Sequence, residues 1–338
     1  MKAKKHKIIL LVLLIIFISI TMVKLSGKSS PDYPLSESDL ASPLPKKKNN
    51  ENKEKSSNSA SSMASQTTGG QNNGKIIRIL GIGNSFTIDS LNNYLYELAI
   101  ADNQPIVVAH LTIGGISLED HYRNAELNKP LYQYVKKGQD GVPVYAENKS
   151  IEDAILDEKW DYISFQQQHG LAGQFHSYEK YLPALTVYAK SKSTNPEAVY
   201  TILQTWAFAS DYPPSADFNY YGNNQLTMFN AIVDATEKSS ALVSPKMLVI
   251  PVGTAIQNGR TSSIGDKFCR DGFHLDIYIG RLTAACAVYE AISGNNVMNN
   301  SYIPDSIPDC DVKTAKQAAH FAVARPNEVT EMPPSNSQ

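Results

Sequence analysis

Two short segments hold residue types that could carry acyl transfer. The first is Gly81-Ile82-Gly83-Asn84-Ser85-Phe86-Thr87, where Ser85 follows an apolar run and precedes a helical pattern at Leu91, Leu95 and Leu98. A serine at a strand-to-helix turn exposes its hydroxyl at the sheet edge, among backbone N–H donors. The bland alternative is an ordinary capping serine. The second segment is Arg270-Asp271-Gly272-Phe273-His274-Leu275-Asp276. Asp271 and His274, three residues apart, fall on one side of a helical turn. A carboxylate there holds the imidazole tautomer and stabilises the imidazolium, which equips the histidine as general base for a serine. A surface aspartate beside a structural histidine is the competing interpretation. Two other motifs begin at the first segment and fail. Gly81-x-Gly83 opens a dinucleotide fingerprint, but Phe86 occupies its third glycine position. Gly83-x-Ser85 opens a nucleophile elbow, but Thr87 replaces its second glycine.

The elements that must position these residues are legible from residue 75 onward. Apolar, β-branched runs at Ile76–Leu80, Ile106–Ala109, Tyr162–Phe165, Val199–Leu203 and Met247–Val252 have the length and texture of buried parallel strands. Helical stripes lie between and after them, at Tyr178, Tyr181, Leu182, Leu185 and Tyr188, at Leu226, Phe229, Ile232 and Val233, and at Ile279, Leu282, Cys286, Tyr289 and Ile292. Gly294 is placed to stop the last stripe, and a further helix from about Val312 to Ala324 is expected on the outside. Strands alternating with helices predict a three-layer α/β/α sandwich around a mainly parallel, five-stranded sheet. Ligands of such sheets bind beyond the carboxyl ends of the strands. Ser85 and the Asp271–His274 pair are expected at that end.

The remainder bounds where the domain works. The chain has 338 residues and a net charge of −2, so no basic field argues for nucleic acid. Lys2, Lys4, Lys5 and Lys7 precede an apolar run from Ile8 to Val23. With no small-x-small cleavage site and no lipidated cysteine, residues 1–24 are expected to be a signal or membrane anchor, a retained anchor being favoured over a cleaved signal, with the domain outside the cytoplasm, anchored or secreted. Residues 25–74, rich in Ser, Asn, Lys, Pro and Gly, are expected to be a disordered linker. The domain then spans 75–325, and 326–338 is expected to be a disordered tail. Three cysteines lack any C-x-x-C pairing, so neither a zinc nor a redox motif is present. Cys286 belongs to an apolar stripe; whether Cys269 and Cys310 are bridged or free stays open.

The set resembles the SGNH hydrolases, also called GDSL-type esterases and lipases, over about Lys75 to Gly294. Their first motif reads here Gly83-Asn84-Ser85-Phe86, and their D-x-x-H reads Asp271-Gly272-Phe273-His274. The segment Ile113-Gly114-Gly115-Ile116-Ser117 matches the motif that supplies an oxyanion-binding glycine, with Gly115 favoured. The third motif departs, because Gln166-Gln167-Gln168-His169-Gly170 stands where the family has G-x-N-D. Either Gln168 or Gln166 would replace the asparagine amide, with the same donor chemistry and one more methylene. The resemblance implies a flavodoxin-like SGNH fold, Ser85 as nucleophile, His274 as base, Asp271 as its orienter, and neither metal nor cofactor.

Substrate is less specified. Trp206, Phe208, Tyr212, Tyr220 and Tyr221 cluster after the fourth expected strand, and Trp206 with His169 is expected to line the site. Aromatic side chains of this kind stack on sugar rings or build a loop core. The expected substrate is a small acyl ester, acetylated carbohydrate first. The alternative is a carbohydrate-binding or envelope protein that keeps the fold without turnover. His121 and His169 are expected to be loop or pocket residues, and His110 is expected near the end of the second strand.

Overall fold

Runs of β-branched residues bury well on both faces of a sheet, and here they do so as a continuous ladder. The computed structural model describes residues 74–333. Its strands are β1 (Ile77–Gly83), β2 (Ile106–Thr112), β3 (Tyr132–Lys137), β4 (Pro143–Lys149), β5 (Tyr162–Phe165), β6 (Val199–Leu203) and β7 (Leu248–Ile250). They form one sheet in the order β4-β3-β2-β1-β5-β6-β7. The five expected strands are β1, β2, β5, β6 and β7, all parallel. The sheet has seven strands, not five, because an antiparallel β3–β4 hairpin extends it beyond β2. This hairpin escaped the apolar pattern for a physical reason. Its outer strand, β4, has no buried residue, and the pairing slips between Tyr132 and Tyr134.

The helices are α1 (Ser85–Leu91), α2 (Leu95–Ala101), α3 (Leu118–Glu126), α4 (Ile151–Leu156), α5 (His176–Glu179), α6 (Tyr181–Lys192), α7 (Ala216–Asn219), α8 (Gln225–Ser240), α9 (Val252–Arg260), α10 (Ile279–Ser293) and α11 (Asp309–Ala324). Alternation along the strands sorts the core into two layers. Ile79 and Val108 join Leu95, Leu98, Ile256 and Leu282 on one face, beneath α1, α2, α9 and α10. Leu80, Ile82 and Leu111 join Leu118, Ile155 and Leu182 on the other, beneath α3, α4 and α6. A third cluster, with Phe208, Phe218, Met228 and Phe229, packs α7 and α8 against the loop after β6. Thirteen of the fifteen residues of α10 are buried, which makes it an internal helix. It has α11 as an outer neighbour, where an outside helix was expected. Gly294 ends α10 in the left-handed conformation, with φ +72°.

Three further expectations meet the structure here. The expected disordered tail from 326 begins as packed chain. Thr254 donates to the Pro326 carbonyl at 2.6 Å, and the N–H groups of Thr330 and Met332 bond Asn258 and Thr261 on α9 and at its end. Cys269 and Cys310 are both free. The anchor and linker expected over 1–73 lie outside the described residues. Among the described residues, no helix is long and apolar enough to cross a membrane.

One glycine fixes the approach of α9 to β6. The Gly253 N–H donates to the Gln204 carbonyl at 3.0 Å, and the Gln204 side-chain oxygen accepts from the Thr254 N–H at 2.9 Å. A Cβ on Gly253 would lie 2.0 Å from the Thr205 carbonyl oxygen, a backbone atom that cannot swing away. Glycine to alanine inside a helix ordinarily stabilises by about 0.5–1 kcal/mol. Gly253→Ala is expected to reverse that sign and cost about 1–3 kcal/mol, the usual penalty of overpacking. The midpoint of urea unfolding checks it.

Candidate active site

Ser85 opens α1 directly beyond the end of β1. Asn84 caps the helix, with its side-chain oxygen accepting from the Phe86 N–H at 3.0 Å. The same side chain donates to the Ile116 carbonyl at 3.3 Å, which ties the serine turn to the glycine loop after β2. The turn is too tight for side chains beneath it. A Cβ on Gly83 would lie 2.1 Å from the Thr87 hydroxyl, and one on Gly81 would lie 2.5 Å from Leu91. Close packing of α1 on β1 therefore accounts for both glycines of the failed dinucleotide fingerprint.

The second segment meets Ser85 across this turn. His274 Nε2 lies 2.8 Å from Ser85 Oγ, and His274 Nδ1 lies 2.6 Å from Asp271 Oδ2. The other carboxylate oxygen of Asp271 accepts from the N–H groups of Phe273 and His274 at 3.1 and 2.7 Å. The two residues meet through this aspartate-centred turn, not through the helical turn expected from their spacing. Partial burial opposes ionisation of Asp271. The hydrogen bonds from His274 and the loop N–H groups, with the histidine's charge, outweigh it and hold the carboxyl at about 2. An ionised aspartate on Nδ1 leaves Nε2 facing the serine hydroxyl.

The loop itself is braced on every side. Cys269 and Leu275 form an isolated antiparallel bridge, and the Arg270 N–H donates to the His274 carbonyl at 2.9 Å. Gly272 has φ +89°, a Cβ there would strike the Tyr212 ring, and its carbonyl accepts from Ala209 N–H at 2.7 Å. The indole of Trp206 donates to the Phe273 carbonyl at 2.6 Å.

Asp89, which the sequence reading missed, joins the two halves. It lies one helical turn after Ser85, on α1, and is 1% exposed. Its carboxylate accepts from the Leu275 N–H at 2.8 Å, from Arg281 Nε at 2.8 Å and from Arg270 Nη1 at 3.2 Å. Arg281 also reaches Asn93 at 2.9 Å. The signal was available: an aspartate on a helix whose neighbours are apolar must have a buried cation. The spacing to its partners, however, exceeds 180 residues.

The remaining expected site residues are placed as follows. Gly115 lies in the loop after β2 with φ +62°, next to the Ile116 carbonyl held by Asn84. Gln166 is buried, and its side-chain oxygen accepts from Asn84 N–H at 3.2 Å and the Thr87 hydroxyl at 3.0 Å. Because Asn84 N–H only donates, the amide orientation is set, and its NH2 turns to the Gln167 carbonyl. Gln168 spends its oxygen capping Leu171 N–H at 3.0 Å, and its nitrogen lies 3.2 Å from His169 Nε2. Both amides are thus engaged away from the serine. Gln167 is equally structural, bonding Leu118 N–H and Ser177. Trp206 is fully buried and stacked on Phe86 at 4.2 Å, so it supports the site from beneath and offers no face to a substrate. His169 sits at the site's edge, against Phe86 and Phe273. His110 and His121 are core residues, pushed down to about 4 and about 3 by burial.

In this mainly parallel sheet the serine turn follows the first strand and the Asp-x-x-His loop comes after the last. The chain belongs to the family described as Domain of unknown function (DUF4886), whose model matches residues 78–322. It is similar to a solved DUF4886 family protein from Bacteroides uniformis, at 44% identity and TM-score 0.74, over 76% of this chain and 98% of that one. It has a weaker likeness to an acetylxylan esterase from Geobacillus stearothermophilus, at 12% identity and TM-score 0.42, over 64% and 94% of the two chains. No curated protein matches the sequence.

Two measurements test the bracing. Asp89→Ala removes the anion beside the buried Arg281 guanidinium, and is expected to cost about 3–5 kcal/mol in chemical denaturation. The Asp271 carboxyl is depressed when folded, so the stability it contributes is present above its unfolded value of about 3.9 and is lost as pH falls towards 2. The stability gap between wild type and Asp271→Asn should therefore be full at neutral pH and shrink between about pH 5 and pH 2.

Proposed function

We propose that the protein is a serine esterase acting on small O-acyl esters, O-acetyl groups on carbohydrate first among them. The observation that carries this reading is the unbroken Ser85–His274–Asp271 chain, with contacts of 2.8 and 2.6 Å. In the proposed reaction His274 Nε2 takes the proton of Ser85 as Oγ attacks the ester carbonyl carbon. The carbonyl electrons move onto its oxygen. When they return, the C–O bond to the alcohol breaks, and the imidazolium gives its proton to the departing oxygen. Water, deprotonated by the same histidine, then attacks the acyl-enzyme and releases the acid. The backbone N–H groups of Ser85 and Gly115 are assigned to the oxyanion. Each donor of this kind contributes roughly 3 kcal/mol of barrier lowering. Neither Gln166 nor Gln168 is given that role, since their amides are already engaged.

The carbohydrate part of the reading rests on Phe273, a half-buried ring next to His274 at 4.1 Å between centroids. A ring so placed offers an apolar face to a sugar beside the reacting ester. Action outside the cytoplasm is proposed from the lysines and apolar run that open the chain. The engaged glutamines favour one second reading, a carbohydrate-binding protein that has kept the fold without turnover.

One assay separates the two. The protein is expected to hydrolyse p-nitrophenyl acetate, with Ser85→Ala and His274→Ala each reducing kcat by about a thousandfold or more. Equal background rates in all three, with no labelling of Ser85 by a fluorophosphonate, would replace the esterase by the binding protein.

A further inference from the structure

A second histidine–carboxylate pair stands beside the first and has no part in the reaction above. His169 Nε2 lies 3.3 Å from Asp217 Oδ2, on α7. The two histidines share their neighbours. Phe86 lies 5.6 Å from His169 and 5.9 Å from His274, ring to ring, and Phe273 lies 5.4 Å from His169 and 4.1 Å from His274. The same two phenyl rings thus bridge His169 to His274, the histidine that contacts Ser85.

The pair is also built, not incidental. Asp217 reaches His169 only because residue 170 is glycine: a Cβ there would lie 2.2 Å from the Asp217 carboxyl carbon. Tyr221, just beyond α7, clamps the two segments together, donating to the Gly170 carbonyl at 2.9 Å and accepting from Gly173 N–H at 3.1 Å. Since Tyr221 already holds these segments, the ion pair is not needed as a fastening. Hydrogen bonding from His169 keeps the Asp217 carboxyl below its usual range, so it is an anion at neutral pH. Its side chain is 44% exposed. A carboxylate has about four acceptor sites, and His169 with Gln168 fills only part of them.

We propose that Asp217 and His169 form the subsite for the alcohol half of the ester, taking hydrogen bonds from a free hydroxyl of a sugar or similar polyol that packs on Phe273. This rests on the esterase reading for its placement, though not for its binding test. The chemistry follows from the parts. A half-exposed carboxylate accepts from a hydroxyl, the imidazole it orients pairs with a second oxygen, and an adjacent apolar ring covers the carbon skeleton. The paired site would select against alcohols that lack the hydroxyl, because the carboxylate would lose its water without replacement.

The test compares methyl 2-O-acetyl-β-xylopyranoside, which keeps free hydroxyls, with p-nitrophenyl acetate, which has none. Asp217→Asn and, separately, His169→Phe are expected to lower kcat/KM on the xyloside about 10- to 100-fold more than on the aryl ester, the loss appropriate to one hydrogen bond to a charged group. Equal losses on both esters, or no loss on either, would overturn the proposal and leave the pair as a loop fastening. Melting curves show whether either variant is unfolded, and the other then decides. A second arm needs no turnover. Methyl β-xylopyranoside is titrated by NMR into the Ser85→Ala protein with and without Asp217→Asn. Binding that Asp217→Asn weakens at least tenfold sustains the subsite even if every ester proves inert; binding that is absent or indifferent to Asp217 rejects it.

Discussion

A buried carboxylate can persist only if its charge is met, and in this protein the need is met by drawing two distant parts of the chain together. Asp89 sits within the apolar underside of α1, one turn from Ser85. Its three partners, the Leu275 N–H and the guanidinium groups of Arg270 and Arg281, all come from the segment that carries Asp271 and His274 or from the helix after it. The sheet alone would bring the serine turn and the histidine loop to the same end of the strands. It would not set their separation to the 2.8 Å of a hydrogen bond. That final distance is governed by an ion cluster whose removal would strand charges in the core.

Around this anchor the loop from Cys269 to Leu275 is held by unlike contacts. Trp206 holds the Phe273 carbonyl, Ala209 holds the Gly272 carbonyl, and Asp271 folds the backbone around its own side chain. The serine turn is braced similarly, with Gln166 beneath it and Asn84 bridging to the glycine loop. Two positions where the resemblance to SGNH hydrolases is imperfect thus become intelligible as structure. Asn84, standing for the aspartate of the G-D-S-L run, supplies both a helix cap and a donor to the neighbouring loop. The glutamines, standing for an oxyanion asparagine, are the fabric that supports the turn.

How much of this was legible from the chain depended on the range of each interaction. The five parallel strands and the stripes of α6, α8 and α10 were readable because burial leaves a local period. Ser85, Asp271 and His274 were readable because their neighbours in sequence carry the motif, and strand ends converge by topology. The β3–β4 hairpin was not readable, since an edge strand without buried residues leaves no apolar alternation. Asp89 was not readable as a hub, because its partners lie more than 180 residues away. Trp206 was misassigned because composition says that an aromatic residue follows a strand, and not which way its ring turns. The tail after 326 looked polar enough to be unstructured, yet its backbone pairs with α9, a contact that side-chain composition does not encode.

The joint between Asp89 and the two arginines has a consequence for how the molecule would wear out. In many enzymes the base sits on a loop that opens on its own, so function fades while the scaffold remains intact. Here the histidine loop is fastened through Arg270 and the Leu275 N–H to Asp89, on the helix that Ser85 opens, and Asp89 is held in turn by Arg281 of the internal helix α10. Local opening of that loop would have to expose the same buried charges as melting the core. Its amide protons should therefore exchange with solvent at rates set by global unfolding, and the lifetime of the site should equal the lifetime of the fold.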